Sequence, residues 1–223
     1  MRKKRAVMGL LLLGLLLAAG LWLRMKPQPA ASPAAASPAA GRIENRTGIL
    51  LVNAANPLKS DAEPQDLVNL YEQKRHFLLA RSDLFLAREA FEAADRMFLQ
   101  AENEDMNGFI LTSCYRSREK QAELYAETQD GTAQAPGCSE HETGLAFDVT
   151  ARSDGDFEAT PQFQWLSEHC WDYGFILRYP KGKEQITGIA YEPWHYRYVG
   201  EEAAKLIRDR GWTLEEYCLA LSQ

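Results

Sequence analysis

Apolar and polar positions change their period several times along this chain, and each change marks an element. Residues 6–23 form an unbroken run of apolar residues and glycine. As a helix rising 1.5 Å per residue, such a run nearly crosses a bilayer core of about 30 Å. Residues 27–41 then contain only Pro, Ala, Ser, one Gln and a final Gly, too few large apolar side chains to bury a core. Beyond them, residues 48–52 read as a strand and 53–64 as a loop rich in turn formers. Over 82–102, Leu84, Leu86, Ala87, Ala90, Phe91, Ala94, Met97 and Phe98 recur near helical spacing opposite a charged face, which predicts a core-packing helix. The pattern further predicts strands over 108–113, 146–150 and 191–199, and helices over 118–128, 160–171 and 213–221. No internal repeat is visible. Early helices, scattered strands and short turns imply an α+β fold with a central, mostly antiparallel sheet and flanking helices.

Charge divides the chain in the same place. Arg2, Lys3, Lys4 and Arg5 precede the apolar run, so the N-terminus is expected in the cytoplasm and the remainder outside. A signal peptide has a shorter apolar region, of about 7–15 residues, so residues 1–26 predict an uncleaved transmembrane anchor. A cleaved signal releasing a secreted protein is the alternative. Residues 27–46 are a linker whose prolines favour extended conformations of about 3.1 Å per residue. Residues 47–223 have the size of one domain. Asn45, Arg46 and Thr47 fit the glycosylation pattern, but no role is assigned to them. The net charge is −6, and all 31 acidic side chains lie beyond residue 26. An ectodomain that acidic lacks the clustered cations of a nucleic-acid binder, so no nucleic-acid partner is expected.

The candidate chemistry sits in two stretches. Ser139-Glu-His-Glu-Thr-Gly-Leu-Ala-Phe-Asp148 offers an imidazole and a carboxylate, and Glu192-Pro-Trp-His195 offers another of each. A catalytic zinc keeps three protein ligands and leaves its fourth position to water. His141, Asp148 and His195 supply three, with Glu192 left as the base that moves the proton. Taken singly, each histidine reads as an ordinary core or surface residue. Yet the chain has only four histidines, and two stand beside acids in Gly- and Trp-bearing segments. Glu192 and His195, three apart, would face opposite ways in a regular strand, so Pro193 predicts an irregularity there. His76 and His169 lack such surroundings and are expected to be structural.

The pattern Ser139-x-His141-x-x-Gly144-x-Ala146-x-Asp148, followed by Glu192-x-Trp194-His195, resembles the signature of VanY-type D-alanyl-D-alanine carboxypeptidases. These belong to a metallopeptidase group that includes lysostaphin-type enzymes and the hedgehog fold. Residues 49–57 are similar to the family's opening strand, and 112–121 to its Ser-Gly-Tyr-Arg-Ser…Gln segment, with Cys114 where the family usually has Gly. The resemblance implies a hedgehog-like fold, one Zn²⁺ per chain, and Arg116 as the cation that stabilises the oxyanion of the attacked carbonyl. It also implies that Ser139 and Gln121 touch the substrate. Trp194 either walls the pocket or packs on the sheet, and packing is expected.

Cys114, Cys138, Cys170 and Cys218 all lie beyond the anchor, and an even count in an oxidising space suggests two disulfides with three connectivities. Cys114–Cys138 and Cys170–Cys218 are the expected pairs; free thiols are the alternative. The function implied is removal of the terminal D-alanine from peptidoglycan stem pentapeptides, on the wall or on its lipid-linked precursor. That trimming would also reduce the targets of glycopeptide antibiotics. The alternatives are an L,D-carboxypeptidase acting on the tetrapeptide, and a non-catalytic wall-binding module that keeps zinc structurally.

Overall fold

The computed structural model describes residues 48–59, 62–128, 133–153 and 155–222. The expected anchor, the linker and the Asn45 pattern lie outside them. Among the described residues no helix is long and apolar enough to cross a membrane.

Three short strands, β1 (Leu67–Asn69), β2 (Leu78–Leu79) and β3 (Phe85–Ala87), precede α1 (Arg88–Asn103), the longest helix among the described residues. There follow β4 (Phe109–Ser113), α2 (Arg118–Glu127), β5 (Ala146–Ala151), α3 (Pro161–His169), β6 (Phe175–Leu177), the single turn α4 (Glu184–Thr187), β7 (His195–Tyr198), α5 (Glu201–Arg210) and α6 (Leu214–Ala220). Five strands form one sheet in the order β2-β4-β5-β7-β6. Only the β2–β4 pair is parallel, so the sheet is mostly antiparallel as expected. β1 and β3 form a separate antiparallel pair.

α1 covers the sheet. Its Ala90, Ala94, Met97, Phe98 and Ala101 are almost fully buried, and the Phe98 ring meets Phe77, Phe109 and Phe147 at centroid distances of 5.2, 4.9 and 6.1 Å. The helix begins at Arg88, six residues later than its pattern predicted. Leu84 and Leu86 are buried as alternating positions of an extended segment, because over so short an apolar run periods of 2 and 3.6 are not distinguishable. The third predicted helix likewise stops at His169 and continues as a 3₁₀ turn over Cys170–Tyr173.

Residues 48–52 do not form the predicted strand. Leu51 and Val52 are buried, but the Leu50 carbonyl accepts from the Arg197 guanidinium at 2.7 Å instead of from a neighbouring strand. A smaller apolar cluster joins Leu51, Ile176, Val199, Ala203, Ala204, Ile207, Leu214 and Tyr217, closing α5 and α6 over the far edge of the sheet.

The expected disulfides do not form. Cys114, Cys138 and Cys170 are free thiols, which rules out both pairings. Cys114 and Cys170 are packed in the main core, whereas Cys218 belongs to the smaller cluster, and Cys138 is half-buried in the loop before Ser139. The buried ones behave as small apolar side chains, and desolvation pushes the Cys114 and Cys170 thiols far above their ordinary range.

One glycine fixes the approach to β5. Gly144 takes φ +69°, where a Cβ would stand 2.9 Å from Leu67 Cδ2 and 3.3 Å from the Ala87 nitrogen, and its carbonyl accepts from that same Ala87 amide at 2.9 Å. Gly144→Ala combines left-handed strain with a collision against β1 and β3. It is expected to lower stability by about 1–3 kcal/mol, read as a reduced midpoint of chemical denaturation.

Candidate active site

Sheet register and one tight turn bring the two chemical stretches together. β5 and β7 are antiparallel with Asp148 directly opposite His195, so both side chains leave the same face of the sheet. His141 arrives from the 3₁₀ turn Glu140–Thr143, which Gly144 terminates just before β5. Its Nδ1 lies 2.8 Å from the Cys114 carbonyl, and the Arg116 amide donates to the His141 carbonyl at 3.1 Å. Nδ1 is therefore the donor, and Nε2 is left bare, 3.4 Å from Asp148 Oδ2. His195 places Nδ1 3.0 Å from Asp148 Oδ1, and the two imidazoles stand edge to face with centroids 4.9 Å apart.

Ligand atoms of His141, Asp148 and His195 all lie within 4.8 Å of one another. The donor set fits a divalent cation, and the Asp148 carboxylate supports that fit. Its Oδ1 is buried without a hydrogen-bond partner, since the nearby His195 nitrogen approaches outside hydrogen-bond geometry. An orphaned anionic lone pair facing two imidazoles is costly unless a positive charge occupies the space between them. Electrostatics point the same way. Burial by itself would lower the affinity of His195 for a proton, yet Asp148, Glu140 and Glu192 raise its pKa to about 9.

Glu192 stands beside this cluster without belonging to it. The His195 amide donates to the Glu192 carbonyl at 3.3 Å, so Glu192-Pro-Trp-His195 is a turn and β7 starts only at His195. Proline at the second position presets such a turn. The expected clash of strand alternation is thereby removed, and Glu192 Oε2 lies 3.6 Å from His195 Nδ1. Burial, reinforced by Asp148 and Glu140, raises the Glu192 carboxyl above its ordinary range against the opposing pull of His195. The same turn carries Trp194 outward: it lines the cavity and is 43% exposed, so it does not pack on the sheet as expected.

Arg116, Ser139, Glu192 and the three cluster residues line one cavity of about 190 Å³. The Arg116 guanidinium is held there by Gln121 Oε1 at 2.7 Å and Ser113 Oγ at 3.1 Å. Gln121 is almost fully buried, and its amide nitrogen donates to the Gln134 carbonyl, so both ends of the amide are engaged within the protein. Gln121→Ala is accordingly expected to free the Arg116 side chain and lower kcat about 10-fold with bound metal unchanged, measured by steady-state kinetics beside metal analysis. His76 and His169 lie elsewhere, on Asp95 and on the Trp165 carbonyl respectively.

The VanY family model, described as D-alanyl-D-alanine carboxypeptidase, matches residues 83–201, more than half of the chain. The chain belongs to the VanY family. A D-alanyl-D-alanine carboxypeptidase of Enterococcus faecium is 36% identical over 172 residues, which are 76% of this chain and 56% of that relative. This chain thus spans little more than half of that relative's length. Among solved structures, the LdcB LD-carboxypeptidase superposes with a TM-score of 0.66 at 36% identity, covering 81% of this chain and 94% of that one. A vancomycin resistance D,D-pentapeptidase VanY from a VanB-type cassette, solved in complex with Zn(II), gives 0.63 at 33% identity, covering 75% and 97%. The mixed α+β fold is therefore that of VanY-like structures.

Behind the cluster lies a layer that the motif of this VanY-family chain does not announce. Arg178 and Arg197 are wholly buried, and both donate to Glu140 Oε1, at 2.7 and 2.9 Å. Arg178 also holds Glu215 of α6, which in turn accepts from Asn53 at 3.1 Å. Burial alone would raise the Glu140 carboxyl, but the two guanidiniums and His195 hold it well below the usual carboxylate range. The Tyr179 ring, also buried, packs 4.9 Å from the His195 ring. The only sequence signal for this layer is a pair of arginines set inside the apolar strand patterns Phe175-Ile-Leu-Arg178 and His195-Tyr-Arg197-Tyr.

Proposed function

We propose that this protein is a zinc-dependent D,D-carboxypeptidase that removes the terminal D-alanine from peptidoglycan stem pentapeptides. The observation that carries the reading is the buried, partnerless Asp148 Oδ1 facing His141 and His195, with Glu192 and Arg116 on the walls of the same cavity. Zinc held by His141, Asp148 and His195 would supply Lewis acidity, polarising the scissile carbonyl and lowering the pKa of water at its open position. Glu192 accepts the proton released by the attacking water and returns it to the departing amine of D-alanine. Its raised carboxyl matches that exchange better than an ordinary, strongly acidic one. Arg116 directs a fixed guanidinium at the oxygen that becomes an anion. Ser139, in the cavity wall, offers a hydroxyl to the peptide.

Similarity to an LD-carboxypeptidase structure supports a second reading, in which the tetrapeptide is cut. Incubating the protein with each peptide and following D-alanine decides between them. Release from the pentapeptide is expected, and release from the tetrapeptide alone would overturn the D,D reading. A non-catalytic zinc module has no use for a partly buried, raised carboxylate beside the cluster, which weighs against that alternative.

From the sequence we also propose that residues 1–26 anchor the chain and residues 27–46 act as a tether, which would let the domain of 47–223 meet the wall or its lipid-linked precursor outside the membrane. In such a position the activity would lower the density of glycopeptide-antibiotic targets. Deleting residues 1–26 is the test of anchorage: activity should leave the membrane fraction, and activity never associated with membranes would exclude an anchor.

A further inference from the structure

Two buried polar atoms next to the cluster face one another. Glu140 Oε2 and His195 Nε2 are 3.6 Å apart, and neither has a hydrogen-bond partner among the described residues. Burying either atom without a partner is unfavourable, and a movement of a few tenths of an ångström turns the approach into a hydrogen bond. The other atoms of both groups are already assigned. Glu140 Oε1 is taken by Arg178 and Arg197, and His195 Nδ1 faces Asp148 and Glu192.

From this pairing we infer that Glu140 is a positioning residue for His195: its Oε2 accepts the Nε2 proton and fixes the tautomer whose bare Nδ1 points at His141 and Asp148. The inference rests on the metal-site reading given above and deepens it. Glu140 cannot itself serve as a ligand, because it is wholly enclosed and its other oxygen is pinned by two guanidiniums. What it does instead is orient the ring and make it a better donor, as carboxylates behind metal-binding histidines do. Arg178 and Arg197 keep Glu140 anionic and in place, and Glu215 of α6 balances Arg178.

The alternative is that Glu140 only neutralises two buried arginines. Three measurements separate the roles. With only four histidines in the chain, ¹⁵N and ¹H NMR of the zinc-loaded protein resolves His195. A long-lived proton on Nε2 is expected, and a bare Nε2 overturns the inference without any substitution. Glu140→Gln should weaken zinc about 10- to 100-fold in competition with a chelator. Glu215→Gln loosens the same network while leaving Glu140 intact, so it should lower the melting temperature and change zinc affinity by no more than about twofold. Equal loss of zinc in both variants would reduce Glu140 to a structural ion-pair partner. Zinc binding and D-alanine release by the unmodified protein are followed in parallel. If both are present and Nε2 is bare, this inference alone falls; if zinc does not bind at all, the functional reading falls with it.

Discussion

Glu192→Gln is expected to lower kcat on the stem pentapeptide by about 10²- to 10⁴-fold while leaving the bound zinc at one per chain. Glutamine keeps the size of the side chain and can still accept a hydrogen bond from water, but it cannot take the proton. The metal should remain, because His141, Asp148 and His195 form the cluster without Glu192. The turn that carries Glu192 is closed through backbone atoms, so the substitution leaves it intact. Pre-steady-state turnover and metal analysis on the same preparation test both halves. Turnover close to the unmodified rate would remove Glu192 as base, and loss of zinc would place it among the ligands.

Arg116→Ala is the second large effect, a fall in kcat of about 10²- to 10³-fold, or roughly 3–4 kcal/mol of transition-state stabilisation. Burial makes the guanidinium less readily charged than an exposed one, and the facing Asp148 carboxylate partly restores it, so the group is held charged at some electrostatic cost inside the cavity. Such a cost is recovered when negative charge develops on the substrate oxygen. Arg116→Lys tests geometry against charge: a lysine cannot bridge Gln121 and Ser113 as a planar fork does, so it should recover only part of the rate. Should Arg116→Ala raise KM and leave kcat alone, Arg116 would be a binding group and the oxyanion role would fail.

The metal cluster was legible in the sequence because its residue types are rare and its short spacings are enforced locally. His141 and Asp148 are joined by a 3₁₀ turn, one left-handed glycine and the start of β5, all of which depend on neighbours in the chain. The turn at Pro193 was legible for the same reason. What could not be read is what depends on distant partners. Glu140 stands inside the quoted motif, yet its partners are 38 and 57 residues away, and Arg178 reaches a further 37 residues to Glu215. Gln121 lines the cavity, where a substrate contact would stand, but that its amide also joins Arg116 to the Gln134 carbonyl shows only in the folded chain. The disulfides failed because an even cysteine count says nothing about which cluster each one packs in. α5 is a different kind of miss, since its signals were present: Gly200 and Gly211 bracket it, Glu201 and Glu202 open it, and Arg208 and Arg210 close it in agreement with the helix dipole.

The turn from Glu192 to His195 carries a consequence for motion. Carboxylate and imidazole ride on one loop of four residues, cinched by a single amide contact, so a handful of covalent bonds sets the span between them. Slow breathing of helices against the sheet shifts both together, like two tools on one handle. Arg116 follows β4, but its guanidinium is held by Gln121 of α2, so movement of that helix changes its reach to them. Heating should therefore disturb the grip on the forming anion well before it disturbs the hand-over of the proton.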